Sequence, residues 1–418
     1  MHLSFGIGTR TEVVEVPEQQ LLGILRANEI PEGLRGTENV AQALLSPIGT
    51  PRLCEIAKPG EKIVIITSDV TRPVPSCKIL PPLGRELSLA GVKDEDVTIV
   101  IAVGSHRKQT DEEHKRLVGE EAYSRYRVID ADASDCVHMG TTSRGTPVDV
   151  FRTVAEADRR ILIGNIEYHY FAGYSGGAKA IMPGVSTRDA IQSNHRRMVM
   201  PEACAGRIEG NPVREDIEEA ASLVGADFIV NVVLDEHKEI VYTVCGDMIQ
   251  AHRAGCVFLD RLYKKPIAEK ADIVLVSQGG APKDLNLYQT QKALDNAKHA
   301  VKDGGTIILI GSCAEGLGER VFEEWMTTSP TAHSMVERIE QDFRLGGHKA
   351  AAIAMVLDRV KIVLVSDLPD EFVRSIFLTP SHSAQEALDD ALRKYGPEAT
   401  ILAMPYGGST LPVLITNE

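Results

Sequence analysis

Residues 164 to 197 read GNIEYHYFAGYSGGAKAIMPGVSTRDAIQSNHRR, and four kinds of chemistry lie within that span. His169 is an acid/base candidate, because imidazole titrates near neutrality. Gly173-Tyr174-Ser175-Gly176-Gly177 is a glycine-rich turn of the kind that aims N–H groups at an anion. Lys179 is an amine that desolvation would make nucleophilic. His195 is a metal-ligand candidate with no histidine at i+4 and no cysteine partner, too few protein ligands for a conventional zinc site. A metal at His195 would need most of its coordination sphere from something other than protein. The turn has neither Walker spacing nor GxGxxG, and a tight turn with incidental polar residues is the plain alternative.

Further polar groups follow other apolar runs. Asp69 and Arg72 lie in Ser68-Asp69-Val70-Thr71-Arg72-Pro73, where Pro73 restrains the backbone beside Arg72. His106 lies in Gly104-Ser105-His106-Arg107, and Tyr288-Gln289 with Lys292 follow Gln278-Gly279-Gly280. Arg72 and Lys292 suit a carboxylate, the first as a bidentate fork and the second as a point charge. His106 and His169, each just past a run, form a pair able to exchange protons with a substrate as base and acid. His114, His138, His237, His252, His299, His333 and His382 read as surface residues, and His348 is undecided.

These residues need strands ending beside them. Val- and Ile-rich runs supply candidates at 62–67, 97–103, 160–166, 228–234, 272–277, 306–311, 361–366 and 400–404. Helical patterns lie between, including 111–117, 215–223, 247–259 and 290–302. A short helix holding Lys179 should stop at Pro183-Gly184, and a second should open at Ser186, with Asp189 completing a capping box, and carry His195. Unbroken apolar strands between helices imply an α/β fold of two domains with mainly parallel sheets flanked by helices. Ligands in such sheets bind beyond the carboxyl ends of strands. The polar stretch 260–270 marks the expected boundary. It leaves an N-terminal α/β domain, 1–265, with the cofactor and acid/base residues, and a C-terminal α/β domain, 271–418, completing the substrate pocket. The active site is expected in the interdomain cleft.

Across 418 residues, 43% are hydrophobic and the formal charge is -14, which argues against a nucleic-acid partner. Neither a signal peptide nor a membrane span is evident, so a cytoplasmic protein is expected. The seven scattered cysteines read as reduced, mostly buried thiols.

Taken together, His169, GYSGG, Lys179 with PG, and Asn194-His195 resemble the nickel-dependent lactate racemase family. SDVTRP with Asp69 and Arg72, GSHR with His106, and Tyr288-Gln289 with Lys292 are similar to its other blocks, in the expected order. The resemblance implies a nickel pincer cofactor, pyridinium-3-thioamide-5-thiocarboxylic acid mononucleotide, held covalently by Lys179, with His195 as the single protein ligand to nickel. Asp69, Tyr174, Ser175, Gly176 and Gly177 would be cofactor-binding, with the turn seating the phosphate. Arg72, Tyr288, Gln289 and Lys292 would bind a small 2-hydroxy acid. Cofactor-synthesis enzymes are implied partners, and the protein would be a monomer or homo-oligomer.

The implied chemistry is inversion at C2. The α-proton of a 2-hydroxy acid is too weakly acidic for histidine to remove, whereas moving hydrogen as hydride to the pyridinium avoids a carbanion. One histidine takes the hydroxyl proton, a planar 2-keto acid forms, and hydride returns to the other face, so His106 and His169 would serve opposite enantiomers. The alanine-rich stretch Gly346 to Ala354 stands where lactate-using members tend to carry a bulky aromatic, and the sole tryptophan, Trp325, is elsewhere in the sequence. That substitution suggests a roomier pocket for a longer or more polar acid than lactate. Two other readings are a metal-dependent hydrolase or lyase with His106, His169 and His195 around zinc, and a non-catalytic nucleotide- or carboxylate-binding protein.

Overall fold

A computed structural model describes residues 1–30, 32–72, 74–104, 106–235 and 237–415. Pro73 and Ser105, cited above, lie outside the described residues. The chain forms two units, one of residues 29–261 and one of residues 1–28 with 262–418.

The unit of 29–261 is built on a six-stranded sheet. Its order is Ile240–Gly246, Phe228–Leu234, Arg159–Asn165, Ile63–Ser68, Val97–Ala102, Arg127–Asp130. All neighbours are parallel except the first pair, an antiparallel edge. The central strands are buried on both faces; Ile65, Ile66, Ile99, Val100, Ile161 and Leu162 are all fully enclosed. That burial is why they read as unbroken apolar runs rather than alternating ones.

In the second unit six parallel strands run in the order Thr379–Ser381, Lys361–Val365, Val301–Ile310, Ala271–Ser277, Ile401–Met404, Leu21–Ile24. The last of these comes from the N-terminus, which corrects the expected division at residues 1–28. The hairpin His2–Ile7 with Arg10–Glu15 alternates, sending Leu3, Phe5, Ile7 and Val14 into one core with Ile273, Leu275, Ile308 and Ile401. These residues could bury their apolar face there and so left the domain that follows them in sequence. The stretch 260–270 is likewise no open linker. The helix Met248–Tyr263 runs into it, and Lys264–Ile267 pairs in parallel with Leu411–Leu414.

The alanines of 346–354 form the helix Gly347–Leu357, with Ala350, Ala351 and Ala354 fully buried. Trp325, also fully buried, stands against its start: a Cβ on Gly347 would come within 2.7 Å of the indole. The small residues are spent on close helix packing, and the tryptophan is beside them in space.

Candidate active site

Strand Ile63–Ser68 delivers Asp69 and Arg72, and Val97–Ala102 delivers His106. Asp69 is 1% exposed. One carboxylate oxygen lies 2.6 Å from His106 Nδ1, while Thr71 donates to the other through its hydroxyl (2.6 Å) and its backbone N–H (3.1 Å). Burial alone would raise the Asp69 pKa, but hydrogen bonds from His106 and Thr71 and the His106 charge hold it below the ordinary value. Asp69 is therefore an ionised acceptor, and His106 Nδ1 is the donor. Asp69, which the resemblance makes a cofactor-binding residue, orients His106. Arg72 is exposed, its N–H closing a turn on the Asp69 carbonyl.

Strand Arg159–Asn165 leads to the short hairpin Tyr168–His169 with Gly173–Tyr174. The Phe171 ring at its tip gathers three of the expected residues. His169 meets it edge-on at 4.5 Å, His195 at 4.9 Å, and Lys179 Nζ lies 5.8 Å from its centroid. Burial pushes the Lys179 ammonium well below its ordinary pKa, and the charges of Arg214 and Arg72 push the same way. His169 is lowered by burial and by Lys179, Arg72, His195 and Arg214. Both shifts favour the uncharged forms.

The glycine-rich turn is held by bonds within the fold. The N–H of Tyr174 bonds Ala172 O, that of Ser175 bonds Glu167 O, and that of Gly177 donates to Asn231 Oδ1 at 2.6 Å. Ser175 Oγ donates to Asn165 O, and the Tyr174 hydroxyl donates to Asp260. These three N–H groups and two hydroxyls are bonded within the fold. The turn leads into Lys179, which lies in the single 3-10 turn Gly177–Ala180. Gly176 and Gly177 have φ of 74° and 56°, and a Cβ on either would approach Asn231 or His252 within 3 Å.

His195 ends the helix Arg188–His195. Thr187 caps that helix, accepting from the Ala190 N–H, rather than the expected Ser186, whose hydroxyl donates to Ile181 O. His195 Nδ1 lies 2.8 Å from Asn194 Oδ1. Asn194 Nδ2 donates to Asp216 Oδ2 at 2.7 Å and to Val213 O, which fixes the amide's orientation. Asp216, fully buried, also accepts from Thr142 and Thr146. His195 Nδ1 is thus the donor and Nε2 carries the lone pair a metal needs. Among the described residues no three His, Cys, Asp or Glu side chains are arranged around a metal, so His106, His169 and His195 form no zinc site. One oriented imidazole and one lysine at the same Phe171 ring fit a metal whose other donors come from a bound organic group.

Tyr288, Gln289 and Lys292 belong to the other unit, on the helix Leu287–Ala297 capped by Asn286, whose side chain accepts from the Gln289 N–H. Tyr288 and Lys292 are four residues apart and share a face. The 6%-exposed Lys349 lies across the Tyr288 ring, 3.8 Å from its centroid, and donates to the Tyr288 carbonyl.

Several supporting residues were not anticipated. Arg214, fully buried, donates to the carbonyls of Ala172 and Tyr174 and so braces the loop after His169. His252, expected on the surface, is 1% exposed and bonds Ser175 O beneath the Lys179 turn. His114 is also buried, against Asp130, and His348 is buried with Nδ1 accepting from the Gly346 N–H. Of the seven cysteines, all free, only Cys245, Cys256 and Cys313 are buried, fewer than expected. No helix among the described residues is long and apolar enough to cross a membrane.

Comparison with known proteins agrees with this arrangement. The lactate racemase N-terminal domain matches residues 7–206 and the lactate racemase C-terminal domain matches residues 267–412. Lactate racemase of Thermoanaerobacterium thermosaccharolyticum is 35% identical over 95% of this chain and 96% of its own length. That of Lactiplantibacillus plantarum is 32% identical over 95% and 96%. The lactate racemase apoprotein structure from T. thermosaccharolyticum superposes with a TM-score of 0.89 at 34% identity, covering 99% of this chain and all of that one. A Thermotoga maritima protein shares the fold alone, at a TM-score of 0.65 and 20% identity over 92% of this chain and all of its own. With both domain models matched and full-length relatives above 30% identity, this chain belongs to the lactate racemase family and is an isomerase.

Proposed function

We propose that this racemase inverts C2 of lactate or a closely related 2-hydroxy acid, using a nickel pincer nucleotide attached to Lys179 and ligated by His195. The observation that carries the reading is the grouping of His169, Lys179 and His195 around the Phe171 ring, with burial disfavouring the charged form of Lys179. When bound, the pincer nucleotide supplies a carbon that takes hydride from C2 and gives it back. The protein's residues do the rest. His106 Nε2, backed by Asp69, accepts or returns the hydroxyl proton, and His169 faces the substrate oxygen as its counterpart. Arg72 offers the carboxylate a bidentate partner so that the dehydrogenated acid stays bound while it turns, and Tyr288, Gln289 and Lys292 are the other unit's candidates for contact with the acid. Lys179 provides the amine for the covalent link, and the Asp216–Asn194 relay aims His195. The packed helix around Ala350, with Trp325 behind it, gives no reason to set lactate aside.

The test is protein made alongside the cofactor-synthesis enzymes, examined by metal analysis, intact mass and circular dichroism of lactate and other 2-hydroxy acids. Nickel, added mass lost in Lys179→Ala, and interconversion of enantiomers are expected. Protein lacking added mass and interconverting no 2-hydroxy acid would contradict the proposal.

A further inference from the structure

We propose that His106 and His169 rest in opposite tautomers, so that the outward Nε2 bears a lone pair at His106 and a hydrogen at His169. The assignment follows from what each Nδ1 meets. His106 Nδ1 faces Asp69 Oδ2 at 2.6 Å, and the other Asp69 oxygen already accepts from Thr71. A carboxylate held ionised only accepts, so the hydrogen sits on His106 Nδ1 and Nε2 bears the lone pair. His169 Nδ1 instead receives the backbone N–H of Ala172 at 3.3 Å. A backbone N–H only donates, so His169 Nδ1 bears the lone pair and its hydrogen is on Nε2.

The His169 ring has little freedom to change this. It stacks on Tyr170 at 5.4 Å with planes 10° apart and meets Phe171 edge-on. The Ala172 carbonyl, at the other end of the residue that supplies the N–H, is held by Arg214. Burial and the charges of Lys179, Arg72, His195 and Arg214 disfavour a second proton on the ring.

The consequence for turnover rests on the racemase reading; the tautomers do not. An enantiomer whose hydroxyl meets His106 gives its proton to Nε2 directly, and the imidazolium formed keeps its Nδ1–H on Asp69. The product oxygen takes the Nε2 hydrogen of His169 while the proton held by His106 passes through solvent to His169 Nδ1, so that no proton is gained or lost. The enantiomer whose hydroxyl meets His169 finds an N–H where a base is needed. It reacts only after one proton moves from His169 Nε2 to Nδ1, with the Ala172 hydrogen bond broken and no change in net charge. For a racemisation the equilibrium constant is unity, so kcat/KM is the same for both enantiomers, and the inequality falls on kcat and KM separately.

The experiment is a multiple-bond proton–nitrogen correlation on the full chain labelled with 15N-histidine, with His106→Gln and His169→Gln assigning the two rings. The expected result is His106 protonated at Nδ1 and His169 at Nε2. A shared tautomer, or His169 protonated at Nδ1, overturns the proposal. On cofactor-loaded protein, initial rates from each pure enantiomer of lactate should give kcat values that differ several-fold at equal kcat/KM. Equal kcat and equal KM would overturn the kinetic consequence. Failure to interconvert any enantiomers would strike the racemase reading, while the spectra alone would still decide the tautomers.

Discussion

Asp69 Oδ2 stands 2.6 Å from His106 Nδ1, and the carboxylate is buried while the imidazole it holds is partly open to solvent. This fixes which ring nitrogen works outward. Asp69→Asn keeps the shape and reverses the instruction, because Thr71 still donates to one side and the amide's Nδ2 is left to face His106 Nδ1. His106 would then carry its hydrogen on Nε2 and lose its lone pair toward substrate. General-base contributions run to about 10²–10⁴-fold. A loss of kcat of roughly 10²-fold is expected, with intact mass still showing cofactor on Lys179. Unchanged kcat would mean that the aspartate does not orient the base.

The path Asp216–Asn194–His195 makes a different prediction, about metal rather than protons. Asn194 is fully buried, and its two ends serve Asp216 and His195. Outer partners of a metal-bound histidine are worth about 10–100-fold in metal affinity. Asn194→Ala should lower nickel retention on dialysis of cofactor-loaded protein by that factor, and Asn194→Asp should not restore it, since a second carboxylate would face Asp216. Retention equal to the parent protein would detach the relay from the metal.

Much of the sheet is legible in the sequence because its strands are buried on both faces: the apolar runs match Phe228–Leu234 to the residue and Val97–Ala102 to within one. The N-terminal hairpin is not, since its partners Ile273 and Ile401 lie hundreds of residues away. Among site residues, His169, Lys179 and His195 stand out by spacing, and the structure brings them to one ring. Spacing does not show that Asp69 meets His106 or that Asn231 takes the Gly177 N–H, because those partners come from other strands. Arg214, Asp216 and His252 carry no local signal; their importance comes from burial, which sequence spacing does not report.

The hairpin's place in the second unit's core can be tested at Phe5. Its ring is fully buried and shares a core with Leu275 and Ile308 of the central strands and with Leu388 of the helix Ala384–Tyr395. Truncating a buried phenylalanine costs about 3–5 kcal/mol. Phe5→Ala should lower the urea midpoint of the unit formed by 1–28 and 262–418 and leave the unfolding of 29–261 in place. A loss confined to 29–261 would contradict the assignment of the hairpin.

Acid stability supplies the last prediction, through His299. Burial lowers its pKa to about 3, with the charges of Lys298, Lys270 and Arg359 adding to the effect, and its Nε2 has no hydrogen-bond partner among the described residues. In the unfolded chain the same ring titrates near about 6.5. As pH falls from that value toward 3, the unfolded state takes up a proton that the folded state refuses. Stability from this group is therefore complete above about 6.5 and drains away as pH falls through that window, at up to about 1.4 kcal/mol per pH unit. His169 and His252 are lowered by burial in the same direction and add to the slope. Between roughly pH 4.5 and 6.5 most carboxylates stay ionised, so the slope there belongs mainly to histidines. His299→Leu should make it shallower in chemical-unfolding measurements across that range, and an unchanged slope would show that His299 takes up its proton equally well in both states.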